Sequence, residues 1–315
     1  MAGSENLKKR TVVTACDDGY LWGAFLLTAS LRRFNVDCDI NVRGFGLSSL
    51  SASLLEQFGR VNLIQDGKDM AFNGKIAALK TANEGSVTWM DSDCMVNGDV
   101  TDYLNVPEDG IRIRFRSKEE NVHRFKEDYQ PGEAPGSLPS LYTDNWQEDI
   151  GELREPRTES AASNCAFTID ASRMDFVEKW NSFMQEIRDS GKQSPAYSLG
   201  LSGKRMSDEL ALNALLAFAE DAPEIHPHLL SNDPKALVVH FYERKKPWVI
   251  WTDSQIRHYP LVIDTLEWVK QQGFELPPKL PWTFCKSLKP AAYGSSQLFK
   301  AYSEFKKAVK KIIGK

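Results

Sequence analysis

Ser86-Val87-Thr88-Trp89-Met90-Asp91-Ser92-Asp93 is the stretch from which the fold of this 315-residue chain is read. Ser86–Met90 is rich in β-branched and apolar side chains and reads as a strand. It runs directly into an acid–hydroxyl–acid triplet, where the chain must leave the sheet. A strand fixes the backbone, so two carboxylates just beyond its end, Asp91 and Asp93, can converge on one hard divalent cation. Taken alone, the triplet also has a plainer reading, because short acidic pairs are common in turns and helix caps.

Upstream of it, strand and helix signals alternate. Thr11–Cys16, Asp39–Val42 and Val61–Ile64 read as strands. Leu21–Phe34, Leu50–Phe58 and Lys75–Ala82 read as helices, the first with Ala24, Leu27, Leu31 and Phe34 at helical spacing. Repeated alternation predicts an α/β fold with a mostly parallel central sheet flanked by helices. In such sheets ligands bind beyond the carboxyl ends of the strands, where Asp91 and Asp93 stand. Downstream, Ser117–Ser160 is polar, rich in Pro, Gly and Glu, and reads as a long loop suited to a lid or acceptor site. Regular structure resumes with a strand at Cys165–Ile169, helices at Met174–Ile187 and Asp208–Ala219, and a strand at Val238–Phe241. The division expected is a catalytic domain over residues 1–255 and a helical C-terminal extension over 256–315.

Hydrophobic residues make up 42% of the chain, enough for a large core. The net charge of -4 gives no reason to expect a nucleic-acid partner. Cys16, Cys38, Cys94, Cys165 and Cys285 are scattered and odd in number, which suits a reducing compartment better than a disulfide framework. Met1–Arg10 lacks the apolar stretch of a secretory signal, and no apolar run approaches the ~20 residues that span a bilayer. A cytoplasmic protein is expected, with attachment to the inner face of the cytoplasmic membrane as its peripheral variant.

A second apolar run, Val238-Val239-His240-Phe241, ends in an imidazole, and Lys246-Pro247-Trp248 follows. His240 suits a divalent-metal shell as a neutral imidazole, and Lys246 suits the outer phosphate of a nucleotide diphosphate as a point charge. A core histidine followed by a solvated Arg244–Lys246 run fits the same residues.

With these blocks in order, the sequence resembles glycosyltransferase family 8, the retaining GT-A enzymes that include lipopolysaccharide galactosyl- and glucosyltransferases and glycogenin. Ala15-Cys16-Asp17-Asp18-Gly19-Tyr20 resembles the family's opening strand and turn. By that resemblance Asp17 and Asp18 hold the uracil and ribose, and Tyr20 stacks on the base. Lys75 stands where the family usually has a donor-binding Arg. Asp91, Ser92 and Asp93 match the Asp-x-Asp segment, and Asn97-Gly98-Asp99 the residues that follow it. Ser163-Asn164-Cys165-Ala166 resembles the segment near the donor sugar, with Ala166 in place of Gly. Asp208 matches a donor-sugar contact, and Glu209 occupies a position where Gln is common, beside the anomeric carbon. His240, Lys246, Pro247 and Trp248 match a His-x-x-Gly-x-x-Lys-Pro-Trp segment, with Glu243 in place of its Gly.

The resemblance implies a metal site of Asp91, Asp93 and His240 holding manganese, with magnesium as the alternative, a UDP-sugar donor, and transfer of a hexose with retention. Two readings of Glu209 stand: a carboxylate nucleophile, or an acid at a helix start that accepts hydrogen bonds. The acceptor is expected to be a saccharide, lipid-linked if the basic amphipathic tail Gln297–Lys315 lies on anionic membrane rather than on the domain. Two other classes compete. A sugar-nucleotide nucleotidyltransferase would open with a Gly-rich basic loop, which Cys16–Tyr20 is not. A non-catalytic nucleotide-sugar binding protein would keep the fold without the chemistry.

Overall fold

The structure is a computed structural model that describes residues 8–66, 74–151, 155–189, 195–197, 208–227 and 236–313. Among the described residues, the central sheet has seven strands in the order β3-β2-β1-β4-β7-β6-β8. They are β1 (Arg10–Cys16), β2 (Asp39–Phe45), β3 (Val61–Asp66), β4 (Ser86–Met90), β6 (Gly110–Phe115), β7 (Ala162–Asp170) and β8 (Glu224–Pro227). The pairs β1/β4, β2/β3 and β6/β8 are parallel, while β7 runs antiparallel to both β4 and β6. A separate two-stranded ladder joins β5 (Cys94–Val96) to β9 (Val238–His240). This is the mostly parallel, helix-flanked α/β architecture expected from the alternation.

The chain forms two compact units, each discontinuous in sequence. One takes residues 1–13, 71–90 and 102–229, the other residues 14–70, 91–101 and 230–315. In the first unit lie α3 (Gly74–Leu79), α4 (Lys118–Arg124), α5 (Ser140–Ile150), α6 (Met174–Asp189) and α7 (Asp208–Phe218). Its core is built on β4 and β7, buried along their whole length, with Trp146, Trp180, Phe167 and Phe218 among its largest enclosed side chains. Thr88 and Thr168, cross-strand neighbours on β4 and β7, satisfy each other at 2.9 Å inside this core.

The second unit holds α1 (Leu21–Arg33), α2 (Ser49–Glu56), α8 (Tyr259–Gln271) and α9 (Lys289–Ile313). Helix α1 is buried from Gly23 through Leu31 and packs against β5 and α8. The Ser30 hydroxyl accepts from the Val96 N–H at 3.0 Å, so α1 fixes the β5 backbone. The start of α9 packs through Ala292 and Ser296, both fully buried. Further along, Leu298, Tyr302 and Phe305 are 74%, 60% and 66% exposed, so this face of the tail is not covered by the unit.

The 117–160 segment departs from the loop reading. Ser117 and Glu120 form a reciprocal capping box that starts α4, and α5 buries Tyr142 and Trp146 one turn apart. The segment's aromatics are the core of a small helical layer: the Phe125 and Tyr142 rings meet at a tilt with centroids 4.9 Å apart, and Trp146 donates to the Ala196 carbonyl at 3.0 Å.

Candidate functional site

In the second unit the acidic turn follows from strand ends and a ladder. Asp91 comes directly after β4, and the Cys94 N–H closes back on the Asp91 carbonyl at 2.9 Å, so Asp91–Asp93 form a tight turn into β5. β5 then pairs antiparallel with β9 in a register that sets Cys94 opposite His240. The Phe241 N–H donates to the Asp93 carbonyl at 3.0 Å and locks the two segments at the turn. As a result His240 Nε2 lies 3.2 Å from Asp93 Oδ1 and 3.7 Å from Asp91 Oδ2. The structure thus brings together the three side chains that the sequence suggested as metal ligands. Cys94 joins them: ligand atoms of Asp93, Cys94 and His240 lie within 4.8 Å of one another.

Asp93 is 8% exposed, and its Oδ1 receives no hydrogen bond of good geometry, with the His240 imidazole nitrogen its polar neighbour at 3.2 Å. A buried carboxylate oxygen without a donor costs free energy unless a cation satisfies it. Its burial opposes charge, but the His240 and Lys246 contacts outweigh this and hold the carboxyl below its usual range. An ionised carboxylate with an open oxygen beside an imidazole is the donor chemistry that a divalent cation takes. The residues present therefore fit such an ion.

Lys246 Nζ donates to Asp93 Oδ2 at 2.6 Å and to the Phe241 carbonyl at 2.7 Å. It is buried on the acidic turn itself. Glu243, standing where glycine was expected, points into its own loop: its carboxylate accepts from the Thr252 hydroxyl at 2.8 Å and from the Ser254 hydroxyl. The side chain that replaces the glycine thus braces the loop.

The other nucleotide-type residues of this unit gather beyond the end of β1. Asp17 caps the turn after β1 by accepting from the Tyr20 N–H at 3.0 Å. Asp18 accepts from the Ser48 N–H at 3.2 Å and so ties the β1 turn to the turn that starts α2. Tyr20 is part-exposed and meets Trp248 edge-to-face, with ring centroids 6.0 Å apart. Gly23 allows this packing: a Cβ there would lie 2.4 Å from the Ser92 carbonyl oxygen and 2.8 Å from the Trp248 ring.

The first unit holds a separate polar cluster. Lys75 Nζ is 3.1 Å from Asp208 Oδ2 and donates to the Asn164 carbonyl at 3.0 Å. The Asn164 side-chain amide donates to the same Asp208 oxygen at 2.9 Å. Burial disfavours the Asp208 charge, yet Lys75 and Asn164 prevail and lower its carboxyl below the ordinary value. Next to it, Glu209 is 9% exposed and receives Arg116 NH2 at 3.0 Å on each oxygen, Arg124 on Oε1, and the Asn164 N–H at 3.3 Å. The structure therefore places Lys75, Asn164, Asp208 and Glu209 in one network.

Arg116 and Arg124 were missed from sequence. One signal was available for the first: Gly110-Ile-Arg-Ile-Arg-Phe-Arg116 alternates apolar and basic, the pattern of a strand that carries its arginines toward a polar face, although the β6–β7 register shifts between Ile113 and Arg114.

No protein-family profile matches the sequence, and no curated protein matches it. Solved structures do match the fold. The galactosyltransferase LgtC, in complex with donor and acceptor sugar analogues, superposes over 86% of this chain and 98% of its own, with TM-score 0.53 and 14% identity. The bifunctional glycosyltransferase WbbM matches 92% of this chain and 52% of its own, with TM-score 0.54 and 13% identity. The glycosyltransferase GlyE of Streptococcus pneumoniae matches 85% of this chain and 65% of its own, with TM-score 0.50 and 16% identity. At these identities the likeness is one of architecture. The chain has the GT-A fold that these glycosyltransferases share.

Proposed function

We propose that the chain is a metal-dependent, retaining glycosyltransferase that moves a hexose from a UDP-sugar to a saccharide acceptor. The observation that carries this reading is the convergence of Asp91, Asp93 and His240 at the end of a sheet strand, with one Asp93 oxygen buried against the imidazole. Asp91, Asp93 and His240 would hold manganese, or magnesium in its place. When bound, the ion would neutralise charge on the leaving nucleoside diphosphate. Tyr20 and Trp248 offer aromatic surface for a uracil ring, and Asp17 and Asp18 offer acceptors for its N–H and the ribose. Lys246, ion-paired to Asp93, would offset the negative charge of the acidic turn that a diphosphate must approach. Asp208, with Asn164 and Lys75 on its carboxylate, is the group that the resemblance assigns to the donor sugar.

The acceptor reading rests on α9. Leu298, Tyr302 and Phe305 are exposed, and Lys300 and Lys306 lie among them on the helix. An amphipathic basic helix with exposed aromatics suits an anionic lipid surface, and this supports a lipid-linked saccharide as acceptor. No described helix is long and apolar enough to cross a membrane.

The test is a thermal-shift screen of nucleotide sugars with and without manganese, followed by an assay for sugar release from the preferred donor. Manganese-dependent stabilisation by a UDP-sugar, with turnover, is the expected result. Stabilisation without turnover would favour a nucleotide-sugar binding protein. Equal response to every nucleotide, metal or not, would sink the proposal.

A further inference from the structure

We propose that Arg116 and Arg124 are positioning residues that hold Glu209 as a fixed, doubly ion-paired hydrogen-bond acceptor and so deprive it of nucleophilic character. The inference rests on the glycosyltransferase reading and decides between the two roles open to Glu209.

A carboxylate attacks carbon through a free lone pair. Glu209 has little left to offer: Arg116 NH2 lies 3.0 Å from both oxygens, Arg124 donates to Oε1, and the Asn164 N–H approaches Oε2 at 3.3 Å. Both oxygens are committed, and ion-paired guanidinium contacts are the strongest kind available to a carboxylate. Attack would require breaking them inside a site where Glu209 is only 9% exposed and water gives little compensation. The clamp is itself anchored. Arg116 NH1 donates to the Ala162 carbonyl at 2.8 Å, at the first residue of β7. Asn213, one turn along α7 from Glu209, brackets the same Ala162 by accepting its N–H at 2.6 Å and donating to its carbonyl at 3.0 Å. Arg124 closes α4, whose start is fixed by the Ser117 capping box.

The charges explain why a carboxylate is tolerated where the resemblance implies a neutral amide. Two guanidiniums would repel each other in this cluster, and Glu209 lies between them. Burial weakens the Arg124 charge and Glu209 partly restores it, while Arg116 acts against it. Glu209, Arg116 and Arg124 therefore form one set of two positive charges and one negative, in which removing the carboxylate charge leaves two buried guanidiniums facing each other uncompensated.

This alters what a simple substitution means. Glu209→Gln preserves shape but leaves both arginines without their counter-charge, so its loss of activity would not identify a nucleophile. The double variant Glu209→Gln/Arg124→Met returns the cluster to its original net charge of one positive unit and leaves Arg116 to orient the amide. We expect Glu209→Gln to lower kcat about tenfold or more and Arg124→Met, which keeps the Arg116–Glu209 pair, to lower it less than about threefold, with donor KM changed less than about threefold in both, and the double variant to return to within about threefold of wild type. A nucleophile would give the opposite pattern, with the double variant as inactive as Glu209→Gln. A hexose-mass adduct on Glu209, seen by intact-protein mass spectrometry after quenching during turnover, would also overturn the proposal. Thermal unfolding of the same four proteins gives a readout independent of catalysis: the double variant should melt above Glu209→Gln. A double variant that melts no higher than that single variant would overturn the clamp even if the wild type proved inactive, a result that would instead sink the glycosyltransferase reading.

Discussion

Replacing Gly23 with alanine should damage cation binding more than it damages the fold. The added methyl carbon would stand 2.4 Å from the Ser92 carbonyl oxygen, about 1 Å short of an ordinary carbon–oxygen contact. It would also stand 2.8 Å from the Trp248 ring. The ring can tilt, but the Ser92 carbonyl belongs to the backbone of the acidic turn and moves only with Asp91 and Asp93 attached. Alanine gains about 1 kcal/mol of helix propensity over glycine, while overpacking costs roughly 1–3 kcal/mol. The two terms nearly offset, so the net loss of stability should be about 0–2 kcal/mol. Displacing the turn proposed to hold the cation by much of an ångström is more serious, because ion affinity depends on several atoms meeting at fixed distances. We expect Gly23→Ala to bind manganese about 10- to 100-fold more weakly by titration calorimetry, with a near-normal circular dichroism spectrum. Manganese affinity within about twofold of wild type would refute the reasoning, since it would mean the turn does not depend on close approach of α1.

Removing the imidazole should separate ion binding from folding: His240→Ala is expected to weaken manganese at least about tenfold, or about 1.4 kcal/mol, in the same calorimetric assay. Acid should act on the paired carboxylates. For Asp170, burial opposes charge but Lys8 and Ser172 outweigh it and lower the carboxyl, while Lys75 does the same for Asp208. Their contribution to stability is present above the ordinary carboxylate range near pH ~4 and is lost as pH falls through the lowered folded values. Melting temperature measured across that range should fall less steeply in Asp170→Asn than in wild type. On α9, replacing Leu298, Tyr302 and Phe305 together by serine should abolish sedimentation with anionic vesicles and leave the melting temperature unchanged, because all three are exposed.

The parts of the fold that were legible are those whose pattern is local. β4 has the bounds its composition predicts, and β1, β2, α1 and α7 lie within a few residues of the expected ranges. Two strands carried no such signal, and the alternation of a third went unread. β5 has only three residues, β8 only four, and β6 lies just before a polar stretch that disguised it. The antiparallel course of β7 depends on its partners and leaves no mark on its own residues. In the site, Asp91, Asp93 and His240 were readable because each follows an apolar run. The Arg116 and Arg124 contacts to Glu209 were not, because they span 93 and 85 residues of sequence. Glu243 shows the opposite lesson: a departure from a motif told nothing about where its side chain would point.

The ladder that seats His240 against the acidic turn joins residues far apart in the chain, Cys94 pairing with His240. Such a contact closes a very long loop, and long loops close late in folding. Before that closure the aspartates and the imidazole belong to separate, uncoordinated segments, with nothing to grip. Added manganese should therefore leave the refolding rate untouched and slow unfolding instead, acting as a latch on the finished protein rather than as a seed for its assembly.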